Sequence, residues 1–205
     1  MAGKRQASVR RKTKETDVEV KIILDGTGKS KIATGVGFLD HMLSLFAHHG
    51  LFDLKVAVTR QDLDVDIHHT NEDVGIGLGM AVRKALGSAH GINRMGWSFV
   101  PMDEALTEVR TVLDVSGRPA FHFRRKRGLD VRSETGGYSL GDAREFLRAF
   151  AVNCGLTLHV DILQGEDAHH IVESVFKALG RALDEAVRID RRRRGVPSTK
   201  GKLIK

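Results

Sequence analysis

The chain has 205 residues, 41% of them hydrophobic and 29% charged, with a formal net charge of +7. That is an ordinary balance for a soluble globular protein, long enough to bury a sizeable core as one domain or as two intimate halves. No apolar run approaches the roughly 20 residues of a membrane span, the basic first residues lack the apolar core of a secretory signal, and the single cysteine, Cys154, cannot form an internal disulfide; these features point to a reducing cytoplasm.

Much of the positive charge lies at the ends, in residues 1–14 and 191–205. It fits an affinity for phosphate, and equally a pair of solvated basic tails. Aromatic content is 5%, and aromatic residues do not interleave with basic ones, so nucleic acid is not an expected partner.

After the basic arm, Val18, Val20 and Ile22 alternate with Glu19 and Lys21, which is strand period, and Asp25-Gly26-Thr27-Gly28 supplies a turn. Phe38, Met42, Leu45 and Phe46 follow helical spacing up to Gly50. Strand patterns follow at 51–58 and at 63–67, where Leu63, Val65 and Ile67 alternate with aspartates, and a helix pattern covers 71–86. The second half echoes this order, with strands at 107–115 and 120–123, a helix at 140–153, a strand at 156–163 and a helix at 171–189.

Two copies of one motif sit 101 positions apart: His68-His69-Thr70-Asn71-Glu72 and His169-His170-Ile171-Val172-Glu173. Gly79 and Gly180 keep the same offset, while Gly50-Leu51 matches Gly155-Leu156 at 105. A motif that recurs with a strand before it, a helix after it and a glycine seven residues past the Glu reads as an internal duplication. Strand and helix mix unevenly, which favours an α+β arrangement with helices on one face of each sheet. The expected organisation is an arm (1–14), one compact domain of two repeats (about 15–95 and 96–190) and a basic tail (191–205) that contributes to the site.

Consecutive helical residues point about 100° apart, whereas i,i+3 and i,i+4 positions share a face. Glu72 can thus lie beside His68 and His69, while the two imidazoles face differently and can serve two metals. Imidazole with carboxylate suits Mn, Fe, Zn or Ni, and the absence of thiolate ligands excludes a structural cysteine zinc site. His41, on the helix before the first motif, is placed to face the same site.

The chain resembles the imidazoleglycerol-phosphate dehydratases. The matching segments are Gly35 to Met42 (GVGFLDHM), both His-His-x-x-Glu motifs, Gly91-Ile92-Asn93-Arg94, Pro101-Met102-Asp103-Glu104, Asp114-Val115-Ser116-Gly117-Arg118-Pro119, and Gly195-Val196-Pro197-Ser198-Thr199-Lys200-Gly201. The resemblance implies an internally duplicated α+β fold like domain 2 of ribosomal protein S5, two Mn2+ ions per active site, and a homo-oligomer of twenty-four subunits with sites built between subunits. Carried over by position, His41, His68, His69, Glu72, His169, His170 and Glu173 match metal ligands. Glu15 matches an acid/base carboxylate, and Arg94, Arg118, Lys177, Ser198, Thr199 and Lys200 match substrate or phosphate contacts. Many members carry a further His where this chain has Glu145; a carboxylate can also ligate manganese, so Glu145 joins the expected ligands. The implied reaction dehydrates D-erythro-imidazole-glycerol phosphate to imidazole-acetol phosphate, in L-histidine biosynthesis, through an imidazolate held by two metals. Two other readings remain for these residue types: a phosphate- or nucleic-acid-binding module, and a dinuclear phosphoester hydrolase.

Overall fold

The computed structural model describes residues 5–113, 118–129, 131 and 134–199. The first repeat runs β1 (Gln6–Lys12), β2 (Asp17–Ile23), β3 (Ser30–Ala33), α1 (Gly37–Gly50), β4 (Asp53–Arg60) and α2 (His68–Leu86). The second runs β5 (Met95–Met102), β6 (Ala105–Leu113), β7 (Ala120–Arg125), a two-residue ribbon of β8 (Glu134–Thr135) and β9 (Tyr138–Ser139), α3 (Leu140–Cys154), β10 (Leu156–Gln164) and α4 (Ala168–Val187).

The sheets have one topology twice. In the first the order is β1-β2-β4-β3, and in the second β5-β6-β10-β7. In each the last pairing is parallel, β3 with β4 and β7 with β10, and the others are antiparallel. A parallel neighbour needs a crossover, and α1 and α3 supply it. Each sheet buries one face: Val18, Val20 and Ile22 of β2 and Leu158, Val160 and Ile162 of β10 are in the core. The helices of the two repeats then meet, α1 on α4 and α2 on α3.

Glycines set how closely they meet. A Cβ on Gly180 would lie 2.5 Å from the Phe46 carbonyl oxygen, and one on Gly79 would lie 2.6 Å from that of Phe150. The matched glycines therefore do the same work in both repeats: each lets one helix lie against the backbone of the other repeat's helix.

The structure corrects the register of the duplication. The left-handed residue ending α1 is Leu51 (φ 55°), and that ending α3 is Gly155 (φ 76°). Phe46 matches Phe150 and Gly50 matches Cys154, so α1 recurs in α3 at an offset of 104, one less than Gly50-Leu51 suggested. The strand expected at 63–67 is absent. That segment turns, with the Val65 N–H donating to the Asp62 carbonyl and Val65 exposed; two of the alternating aspartates, Asp62 and Asp66, serve side-chain bonds instead of a sheet face.

Besides the two-residue β8 and β9, three strands had no sequence reading. Within the segment read as a basic arm, residues 6–12 form the edge strand β1, where the basic side chains obscure a weak alternation. β3 has four residues, none of them fully buried. β5 points Met95, Trp97 and Phe99 outward and Gly96 inward, because a Cβ on Gly96 would lie 2.0 Å from the Ala182 carbonyl oxygen of α4. None of the helices among the described residues is long and apolar enough to cross a membrane.

Candidate active site

Both motif helices begin in the same way. The Asp66 carboxylate accepts the His68 backbone N–H at 2.7 Å, and the Asp167 carboxylate accepts that of His169 at 2.7 Å. Side-chain acceptors at a helix start satisfy its free N–H groups. The repeat is thus Asp-x-His-His-x-x-Glu, and the aspartate is a member that the sequence reading missed.

One cluster joins α1 to α4. His41 Nε2 and His169 Nε2 lie 3.4 and 3.2 Å from Glu173 Oε2, and Lys177 Nζ lies 2.6 Å from Glu173 Oε1. Burial works to raise the Glu173 carboxyl, but the Lys177 ammonium and His41 together hold it below its ordinary range. Phe38 packs edge-on against His169 at 5.1 Å, fixing the ring from behind. His41 therefore faces the motif of the second repeat, not the motif that follows it in sequence.

The corresponding place between α2 and α3 holds His68, Glu72 and Glu145. His68 Nε2 is 3.8 Å from Glu72 Oε2, and Arg148 binds Glu72 at 3.2 Å and Glu145 at 2.7 Å. In both motifs the Glu pairs with the first histidine, four residues back. The expectation that Glu72 would lie beside both His68 and His69 is not met, because His69 is turned to other partners.

The second histidine of each motif faces its own carboxylates. His69 Nδ1 is bonded to Asp62 and lies 3.7 Å from Glu15, and His170 Nδ1 is 2.7 Å from Glu104. These hydrogen bonds raise both imidazoles above the ordinary histidine value, with the nearby carboxylate charges adding to the effect. Glu104 is held down to about 2, first by the Asp167 backbone N–H and then by His170. A carboxylate on Nδ1 keeps that nitrogen protonated and leaves the Nε2 lone pair for a ligand. Asp62 and Glu104 went unassigned in the sequence, although Glu104 belongs to one of the matching segments and Asp62 opens the aspartate alternation.

Glu15 sits in the β1–β2 turn, its N–H donating to Thr13 Oγ1. Thr16 and Arg11 both bind Asp73 of α2, tying that turn to the first motif helix. Two of the expected phosphate residues, Lys177 and Arg94, stand apart. Lys177 is engaged with Glu173, whereas Arg94 donates to the carbonyls of Leu113 and Pro197, both at 3.1 Å. The Arg94 N–H is bound by Ala186, nine residues, or roughly 13 Å of helix, beyond Lys177. Ser198 and Thr199 lie in the segment that Arg94 holds, Arg118 precedes β7, and Lys200 and the stretch 114–117 lie outside the described residues.

Among the described residues, two groups bring three potential ligand atoms within 4.8 Å of one another: His41 with His169 and Glu173, and Glu15 with Asp62 and His69. The family profile for imidazoleglycerol-phosphate dehydratase matches residues 34–183, which contain both motifs and His41. The chain belongs to the imidazoleglycerol-phosphate dehydratase family. It is accordingly a carbon–oxygen lyase of the hydro-lyase type. An imidazoleglycerol-phosphate dehydratase of Thermoanaerobacter pseudethanolicus is 57% identical over 198 residues, 96% of this chain and 98% of the relative. That of Methylorubrum extorquens is 56% identical over 200 residues, 97% of this chain and all of the relative. The solved dehydratase of Pyrococcus furiosus superposes with a TM-score of 0.79 at 36% identity, covering 95% of this chain and 100% of that one. The Staphylococcus aureus dehydratase gives 0.76 at 33% identity, with coverages of 90% and 99%.

Proposed function

We propose that this dehydratase converts D-erythro-imidazole-glycerol phosphate to imidazole-acetol phosphate and water, a step of L-histidine biosynthesis, using two Mn2+ ions per active site. The observation that carries the reading is the gathering of His41, His169 and Glu173 from two repeats around one point. Two imidazole nitrogens and a carboxylate oxygen are a donor set that manganese accepts. The buried Asp62 Oδ1, which has no hydrogen-bond partner among the described residues, adds an unsatisfied oxygen beside Glu15 and His69. His41, His169 and Glu173 would hold one ion and His68, Glu72 and Glu145 the other, with His69 and His170 completing the sets.

The ions, when bound, would act as Lewis acids on the substrate's imidazole ring and favour its imidazolate form, which pushes electrons towards the departing hydroxyl on carbon 3. The carbon-2 proton is not adjacent to a carbonyl and needs a base. Glu15 is that base in this reading, because its carboxylate stands beside the His69 ring on a braced turn. Loss of the carbon-3 hydroxyl leaves an enol; as the enol becomes the ketone, the proton that Glu15 took goes to carbon 3 and the proton released from the enol O–H balances the departed hydroxide as water. Lys177, Arg94, Arg118, Ser198, Thr199 and Lys200 would hold the phosphate with charged and hydroxyl donors.

The separation of Lys177 from the Arg94-held tail, and the turning of His69 and His170 away from the motif glutamates to Asp62 and Glu104, favour sites shared between copies of the chain. A homo-oligomer of twenty-four subunits would provide them. The test is turnover of imidazole-glycerol phosphate before chelation, after chelation and after Mn2+ is restored. Activity should vanish and return with the metal; full activity in metal-free protein refutes the reading, and release of inorganic phosphate would mark a hydrolase instead.

A further inference from the structure

The duplication allows the two proposed half-sites to be compared atom by atom. α1 recurs in α3 at an offset of 104 and α2 recurs in α4 at 101, so His41, His169 and Glu173 correspond to Glu145, His68 and Glu72. The two sets are not assembled alike. In the first, Lys177 takes one oxygen of Glu173 while the other oxygen faces both imidazoles. The carboxylate is neutralised from behind and leaves a free edge within 4.8 Å of both rings.

In the second set the three donors do not gather within that distance. Ile76 stands at the position equivalent to Lys177, so no cation backs Glu72 from there. Arg148, on α3 three residues beyond Glu145, donates Nε to Glu145 Oε2 at 2.7 Å and Nη2 to Glu72 Oε1 at 3.2 Å. Its counterpart in α1 is Ser44, whose hydroxyl donates to the Asp40 backbone carbonyl at 2.8 Å. The guanidinium thus spans the two carboxylates of this half-site, and its planar fork suits that task.

We propose that Arg148 is a resident cation of the second half-site, which must release Glu72 and Glu145 before a divalent ion binds there. The half-sites then load in order, the His41–His169–Glu173 set first. This inference rests on the two-metal reading above. It has a physical logic: two adjacent carboxylates without a cation repel each other, and Arg148 keeps them neutralised while metal is scarce. Both ion pairs are partly exposed, so their competition should weaken the second ion by roughly tenfold.

The experiment is a Mn2+ titration of the full-length, chelator-treated protein, with free Mn2+ read by electron paramagnetic resonance. Wild type should show two classes of one ion per subunit, about tenfold apart in affinity. Arg148→Met should tighten the weak class by roughly tenfold and leave the strong class in place, and His41→Ala should remove the strong class. Arg148→Lys, which keeps the charge but cannot span both carboxylates, should fall between, and it serves if the methionine variant does not fold. Two equal classes in wild type overturn the proposal, as does a weak class that Arg148→Met leaves unchanged or weakens further. Absence of any Mn2+ uptake by wild type would remove the two-metal reading as well, so the two failures are distinct.

Discussion

Asp62 and Glu104 hold the second histidines of the two motifs in the same way, although one lies before α2 in an irregular segment and the other in the β5–β6 turn. With Nδ1 bound to a carboxylate, the imidazole is oriented and its Nε2 is made more basic. Removing the charge while keeping the shape tests this. Asp62→Asn and Glu104→Gln should each lower metal affinity by about 10–100-fold, the usual effect of losing such a partner. Equilibrium dialysis against Mn2+ measures it, and unchanged affinity would show that these carboxylates only brace the fold. Glu104 has a second duty, since it also accepts the N–H groups of Glu166 and Asp167 ahead of α4. The two variants should therefore differ in stability even where they agree in metal binding.

At the scale of elements, the close crossings of α1 with α4 and of α2 with α3 bring the ligand helices together. Gly180 and Gly79 make those crossings possible. Gly180→Ala and Gly79→Ala would place a methyl against a carbonyl oxygen, and overpacking of this kind costs about 1–3 kcal/mol. For a chain of this size that corresponds to a fall of roughly 2–12 °C in melting temperature, which calorimetry would detect; an unchanged Tm would mean that the helices separate freely. The tail offers a pH test. Asp190 binds the Arg192 side chain and N–H, and these hold its carboxyl down to about 2, below the ordinary 3.8. A depressed carboxylate contributes stability above its unfolded value and loses it as pH falls through the folded one. The turn at 190–193 should therefore stay formed to below pH 3.8 and open towards pH 2. Carboxyl chemical shifts followed by NMR would show it, and an Asp190 titration near 3.8 would contradict it.

At the scale of the whole molecule, the site's parts fall into separate groups within one chain. Glu15, Asp62 and His69 form one, His41, His169 and Glu173 another, and Arg94 with residues 195–198 a third. If neighbouring copies combine these groups, two inactive variants should rescue each other. Glu15→Gln and His41→Ala should each be inactive alone. Mixed assemblies formed from both should recover part of the wild-type rate, because some shared sites would contain neither change. Turnover of the reassembled mixture measures this, and no recovery would place each site within one chain.

The fold was largely legible because its signals are local. Period-2 alternation in β2, helical spacing from Phe38 to Phe46, and motifs repeated 101 residues apart each need only a short stretch of chain. β1, β3 and β5 escaped because basic side chains, shortness and an outward apolar face mask the alternation that burial imposes elsewhere.

By itself the sequence determined the duplication, the kinds of donor in each motif and the resemblance that joins them to a dehydratase. Only the tertiary structure decided which donors meet. His41 reaches the motif of the other repeat, the second histidines turn to Asp62 and Glu104, and Arg148 stands between Glu72 and Glu145. The reason is geometric. Spacing along a helix fixes which residues share its face, but the packing of α1 on α4 and of α2 on α3 fixes what that face meets.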